Sequence, residues 1–156
     1  MSETNRTEEI YPMPFFVTLS VNDLAASTRW YQQALGFHHV FSIPGPTGEP
    51  VLVHLRWAKY ADLLLRRHLA ADQDTIKGAG LTLTFNVISG SVDELADRAR
   101  QYGARIISEP KNQPWNVRDF SVADPDGFIL VFSQGPVEPG LGMEQIIARS
   151  TGRDRP

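Results

Sequence analysis

Apolar and polar residues alternate along residues 15–21 (FFVTLSV). Val17, Leu19 and Val21 interleave with Phe16, Thr18 and Ser20, the two-residue period of a strand. Asn22-Asp23 interrupts the alternation and offers a helix cap. In residues 24–35 (LAASTRWYQQAL), Leu24, Trp30, Tyr31, Ala34 and Leu35 fall on one helical face, and Gly36 supplies the stop. FHHVFSI then reads as a strand and residues 44–50 (PGPTGEP) as a turn-rich loop. VLVHLRW (51–57) is a strand, AKYA a short turn and DLLLRR (62–67) a further strand. The order is β-α-β-β-β.

After a connection at residues 68–80 the same order returns. LTLTFNV (81–87) is a strand, Ser89-Gly90-Ser91 leads into the helix VDELADRARQY, and Gly103 closes it. Residues 104–108 form a strand, 109–116 (EPKNQPWN) a loop, VRDFSVAD a strand, Asp124-Pro125-Asp126-Gly127 a turn and FILVFSQ (128–134) the last strand. The period is about 65–70 residues, longer than that of solenoid repeats. The expected fold class is α+β: two βαβββ modules with helices on one sheet face and the other face free. The boundaries are a flexible N-terminal arm (1–12), a first module (13–67), the connection (68–80), a second module (81–135) and a C-terminal tail (136–156), in which GMEQIIARS is a short-helix candidate.

Composition narrows the function classes. The net charge of −3 provides no basic field for a nucleic-acid backbone. Arg149, Arg153 and Arg155 gather near the end, but Asp154 interrupts them, so they read as a solvated tail. The absence of cysteine removes disulfides, thiolate metal sites and a cysteine nucleophile together. The polar, acidic opening MSETNRTEEIYP is unlike a signal peptide, and no apolar run reaches the roughly 18 residues of a membrane helix. The expectation is a cytoplasmic protein without nucleic-acid or membrane partners.

Two segments, LSVNDLAASTRWYQQALGF and FSVADPDGFILVF, resemble the two ends of the vicinal-oxygen-chelate superfamily. That group includes glyoxalase I, extradiol dioxygenases, fosfomycin-resistance enzymes and bleomycin-resistance proteins. The resemblance spans residues 14–134 and implies paired modules forming a cupped sheet, often completed across a homodimer with shared or exchanged modules. It also implies four metal-ligand positions, which fall on Phe16, His54, Thr82 (or Leu81, one register away) and Val131. Only His54 among these is a usual ligand for a divalent cation. His38 and His39 are adjacent in a strand and so point to opposite faces, and His68 sits near the connection. The resemblance therefore points to the resistance-type branch, with no metal and no cofactor.

Strand parity selects the side chains of the cup. Phe16, Thr18 and Ser20 face away from the helix in the first strand, as do Leu52, His54 and Arg56 in the third. Thr82, Thr84 and Asn86 do so in the second module, with Ile129, Val131 and Ser133 in the last strand. Trp115, in the loop QPWN, offers a stacking surface for a flat ligand or packs under its own loop. PWNVRDF resembles the stretch at the groove mouth of resistance-type members. Arg118 and Asp119 read as a structural hydrogen-bonding pair, and Trp30 and Tyr31 as core. No inward acid is evident beside His54 or elsewhere in the cup.

The resulting expectation is a small-molecule-binding protein that sequesters an aromatic or polycyclic ligand, as in antibiotic resistance. The candidate contacts are Phe16, Thr18, His54, Arg56, Thr82, Thr84, Asn86, Trp115 and Val131. Two alternatives stand beside it. One is an enzyme, either a metal-dependent lyase or dioxygenase with ligands in another register, or a metal-independent isomerase or cyclase using His54. The other is a regulatory partner with a vestigial cup.

Overall fold

The computed structural model describes residues 9–152. Residues 1–8 of the expected arm, and Arg153, Asp154 and Arg155 of the tail, lie outside the described residues. The elements are β1 (Val17–Val21), α1 (Leu24–Leu35), β2 (His38–Pro44), β3 (Pro50–Ala58), β4 (Ala61–Arg67), β5 (Thr82–Asn86), α2 (Val92–Gln101), β6 (Arg105–Asn112), β7 (Arg118–Ala123), β8 (Ile129–Gln134) and α3 (Met143–Ser150). They form two four-stranded sheets, ordered β1-β4-β3-β2 and β5-β8-β7-β6. In each, the outer first strand runs parallel to its neighbour and the remaining pairs are antiparallel. The repeated order is the βαβββ module, twice.

The chain divides into two compact units. One comprises the described residues to Ala79 together with Asp124–Gly127; the other comprises Gly80–Ala123 and the chain from Phe128. In the first, Leu19, Val21, Val53, Leu55, Leu63 and Leu65 are buried on one sheet face, and α1 buries Leu24, Tyr31, Ala34 and Leu35. The Asp23 carboxylate accepts from the Ala26 amide at 2.9 Å, satisfying a free N–H of the first turn. Gly36, at φ 77, takes the left-handed conformation that ends the helix.

The turn Asp124–Gly127 closes by a hydrogen bond from Gly127 N to Asp124 O at 3.0 Å, as its composition predicts. Its carboxylates have a second role. Tyr31 Oη donates to Asp124 Oδ2 at 2.8 Å, and the Asn22 amide donates to Asp126 Oδ1 at 2.9 Å. Burial, reinforced by the Asp124 charge, pushes the Tyr31 phenol well above its ordinary range, so the hydroxyl remains a donor.

In the second unit, Ser91 and Glu94 form a reciprocal capping box at the start of α2, with Glu94 N to Ser91 Oγ at 3.1 Å and Ser91 N to Glu94 Oε2 at 3.2 Å. The core is a ladder of rings. Phe85, Phe132 and Phe120 are cross-strand partners on β5, β8 and β7, with successive centroids 5.4 and 5.5 Å apart. β6 runs to Asn112, past the expected end at residue 108. As the outermost strand it tolerates Pro110, and register shifts near Ser108 absorb the irregular segment. GMEQIIARS supplies α3. No helix of the described residues is long and apolar enough to cross a membrane.

Candidate functional site

The open face of the first sheet carries a closed polar set. The β3–β4 hairpin turns through Lys59-Tyr60, with Tyr60 at φ 64, and pairs Arg56 with Asp62. His54 lies two residues earlier on the same face. Arg56 Nε donates to Asp62 Oδ1 at 2.9 Å, and Arg56 Nη2 donates to Asp62 Oδ2 at 2.9 Å. His54 Nε2 lies 2.6 Å from the same Oδ2. Relative exposures are 3% for Arg56, 5% for Asp62 and 8% for His54, so the set is withdrawn from water. The hydrogen bonds to Asp62 raise the Arg56 guanidinium above its ordinary range.

This arrangement corrects the expectation that His54 has no inward acid: Asp62 is that acid. Counting back across the two-residue turn would have opposed Asp62 to Trp57; a bulge between Arg56 and Ala58 shifts the register and brings Asp62 to Arg56. A carboxylate only accepts, so in the neutral ring Nε2 carries the proton and Nδ1 the lone pair. The ring edge packs against Phe41, with centroids 5.0 Å apart. Thr18 occupies the same cross-strand row, beside Leu64. Thr18 and Phe16 are both exposed.

The segment before β1, expected to be a loose arm, reaches this set. Arg56 Nη1 donates to the Glu9 carbonyl at 2.7 Å, and the guanidinium carbon lies 4.4 Å from the Tyr11 ring centroid. The Tyr11 hydroxyl accepts from the Tyr60 amide at 3.0 Å.

Further along the face, the connection folds over β1 and β4. Arg66 makes a two-pronged contact with Asp72 at 2.7 and 2.9 Å, and Ser20 Oγ and the Leu69 amide each donate to Asp72 at 2.8 Å. These donors, Arg66 foremost, hold the Asp72 carboxyl well below the usual carboxylate range. A depressed folded-state pKa contributes stability that is present above the unfolded value and lost as pH falls through the folded one. Protection of the Leu69 and Asp72 amides from hydrogen exchange is therefore expected to be set by Asp72 from neutral pH down to about 4 and to fall only in stronger acid. Asp72→Asn is expected to show the same loss at pH 7; unchanged protection in that variant would refute the anchor.

In the second unit Thr82, Thr84 and Asn86 share the exposed face of β5, and Val131 pairs with Thr84. Asp119 lies in the row of Ser133 and Asn86 and accepts from Gln113 Nε2 at 2.6 Å. It is a second acid on an open face that was expected to have none. Arg118 and Asp119 do not pair with each other, because neighbouring strand residues point to opposite faces. Arg118 instead grips Asp93 of α2, with both contacts at 2.7 Å. Trp115 is 51% exposed. Its loop is stiffened by Asn116, which exchanges hydrogen bonds with the Glu138 backbone at 3.0 and 2.8 Å.

The residues at the family's metal positions do not fit a divalent cation. Phe16 and Val131 have no donor atom, Thr82 offers only a hydroxyl, and His54 spends Nε2 on Asp62. Among the described residues no three His, Asp or Glu side chains converge on one point. His39 bonds Ser42 at 2.7 Å, and His68 Nδ1 lies 3.3 Å from Lys77 Nζ. A separate cavity of about 620 Å³, lined by Leu24, Thr28, His39, Glu49, Val53 and Arg67, opens on the helix side of the first sheet. Parity on isolated strands gave no sign of it.

Repeated βαβββ sheets carrying polar side chains on their open faces define a class of protein. The chain belongs to the Glyoxalase/Bleomycin resistance protein/Dioxygenase superfamily, whose family model matches residues 15–132. No curated protein matches it in sequence. A glyoxalase-related enzyme from Fulvimarina pelagi is 25% identical with a TM-score of 0.64, covering 82% of this chain and 91% of that one. TioX from Micromonospora sp. ML1 is 23% identical with a TM-score of 0.63, covering 80% and 97%. TnmS3, an antibiotic binding protein from Streptomyces sp. CB03234, is 23% identical with a TM-score of 0.60, covering 80% and 96%. The last two likenesses establish the fold.

Proposed function

We propose that the protein is a metal-free small-molecule-binding protein that holds an aromatic or polycyclic ligand. The observation that carries this reading is the buried His54–Asp62–Arg56 set. Its internal hydrogen bonds are made, its charges balance, and the lone pair of His54 Nδ1 remains to receive a ligand donor. Placed polar groups beside aromatic and aliphatic side chains, here Phe16, Phe41 and Leu64, are what a ligand site requires. Phe16 and Thr18 extend the proposed contacts on this sheet. Thr82, Thr84, Asn86 and Val131 are proposed contacts on the second, with Trp115 as a stacking surface. TnmS3, an antibiotic binding protein with the same fold, supports a small-molecule-binding role. A homodimer, as the family resemblance implies, belongs to the same proposal.

The test is titration of the protein with a panel of polycyclic aromatic compounds, followed by tryptophan fluorescence and calorimetry. His54→Gln retains a donor for Asp62 and is expected to weaken binding about three- to tenfold, the value of one hydrogen bond. Absence of binding across the panel would refute the reading, as would a stoichiometric metal in the purified protein. One observation favours a second reading. Asp62 orients His54 as a general base would be oriented, leaving Nδ1 to abstract a proton in a metal-independent isomerase or cyclase. Turnover that disappears in His54→Gln would select that reading.

A further inference from the structure

The two modules differ in how the helix meets the outermost strand. In the second, α2 packs on β6 as well as on β7 and β8. In the first, α1 packs on β3 and β4, and the helix side of β2 borders the cavity of about 620 Å³. Strand register builds the floor. Leu19, Leu65 and Val53 form one cross-strand row, each at most 3% exposed, and the row ends at the exposed Ser42 of β2. A bulge between His39 and Phe41 turns His39 to the same side as Ser42, and His39 Nε2 lies 2.7 Å from Ser42 Oγ. These two polar side chains serve each other.

Two charged side chains of the lining have no such partner. Arg67 follows Leu63 and Leu65 on β4 and by parity points to the helix side, while Glu49 stands just before β3. Both are exposed, and neither the guanidinium nor the carboxylate has a hydrogen bond or ion pair among the described residues. Asp23, the other carboxylate of the lining, accepts from the Ala26 amide and caps α1. Leu24, Ala25, Pro50 and Val53 supply the apolar part of the wall.

We propose that this cavity is a second binding site, for a free α-amino acid with an aromatic side chain. A ligand that satisfies both unpaired charges brings a carboxylate to the Arg67 fork and an ammonium to Glu49. Two carboxylates, Asp23 and Glu49, face one guanidinium, an excess that disfavours a simple anion and favours a ligand that also carries positive charge. A volume of about 620 Å³ lies within the range of small-molecule sites. It leaves room beyond the amino and carboxyl groups for a large apolar side chain against Leu24, Pro50 and Val53. The site is independent of the binding function proposed above, since no open-face residue contributes to it.

The experiment is calorimetry on the full chain with three probes of one skeleton: L-phenylalanine, 2-phenylethylamine, which lacks the carboxylate, and 3-phenylpropionate, which lacks the ammonium. L-Phenylalanine is expected to bind about fivefold more tightly than either analogue, the value of one solvent-exposed ion pair. Arg67→Gln is expected to weaken L-phenylalanine about fivefold and to leave 2-phenylethylamine unchanged. Glu49→Gln is expected to weaken L-phenylalanine equally and to leave 3-phenylpropionate unchanged. The unaffected probe in each variant reports an intact cavity. Amide chemical shifts at saturation are expected to move at Ala25, Ser42 and Val53.

L-Phenylalanine bound no more tightly than either analogue would overturn the proposal, as would a loss in either variant shared by all three probes. Shifts confined to the open face, at His54 or Thr82, would place the amino acid there and overturn the second site. No binding of any of the three probes would overturn it too, and would leave the open-face function standing.

Discussion

Replacing Asp62 with alanine is expected to destabilise the protein by about 3–5 kcal/mol, because it leaves the charge of Arg56 buried without its partner. Asp62 is the acceptor for both Arg56 contacts and for His54 Nε2, so one substitution strands three donors. The side chains of Arg56 and Asp62 are 4% and 1% exposed, and water cannot replace what is lost. Urea denaturation measures the loss as a fall in the midpoint at nearly constant slope. The double variant Asp62→Ala/Arg56→Leu supplies the control: removing both charges is expected to recover most of the stability, since a buried ion pair contributes little net stability relative to an apolar replacement. A single variant within about 1 kcal/mol of wild type would show that water or a rearranged side chain satisfies Arg56, and would remove the basis for a rigid polar set.

Phe132→Ala is expected to cost about 3–5 kcal/mol, through a lost ring and the cavity it leaves. Phe132 is the middle rung of the Phe85–Phe132–Phe120 ladder, fully buried and stacked on both sides. A smaller side chain loses both ring contacts at once. β8 lies between β5 and β7 in the sheet, so collapse around the vacancy also shifts Val131 and Ser133 on the opposite face. Phe132→Leu retains much of the volume and is expected to cost appreciably less. Equal losses for the two variants in denaturant unfolding would mean that the ring stack, and not cavity volume, sets the energy.

The fold was legible because each module repeats the same local signals. A period-two strand, a polar cap, a three-turn apolar face and a terminal glycine occur in the same order twice, and strand parity placed His54 and Arg56 on a common face. The polar network was less legible for a specific reason. Asp62 stands near the start of an apolar strand, and its partner is set by a bulge between Arg56 and Ala58, a property of two strands jointly. Asp119 was obscured in the same way: beside Arg118 it resembles an ion pair, yet the pleat sends the two apart. Tyr31 reads as a core aromatic from its helical spacing, but its hydroxyl partner, Asp124, lies far along the chain. The contact of Glu9 and Tyr11 with Arg56 joins segments distant in sequence and leaves no periodic trace.

The Lys59-Tyr60 turn also controls inheritance. Substitutions there can be absorbed one side chain at a time, but insertion of a single residue reverses the parity of all of β4. Asp62, Leu64 and Arg66 would move to the helix side, while Leu63 and Leu65 would come out into the open face. The chemistry of the first sheet therefore depends on the residue count of this turn together with the bulge between Arg56 and Ala58. Descendants of this chain can vary the letters of that turn, but a change in its count erases the His–Asp–Arg set in one step.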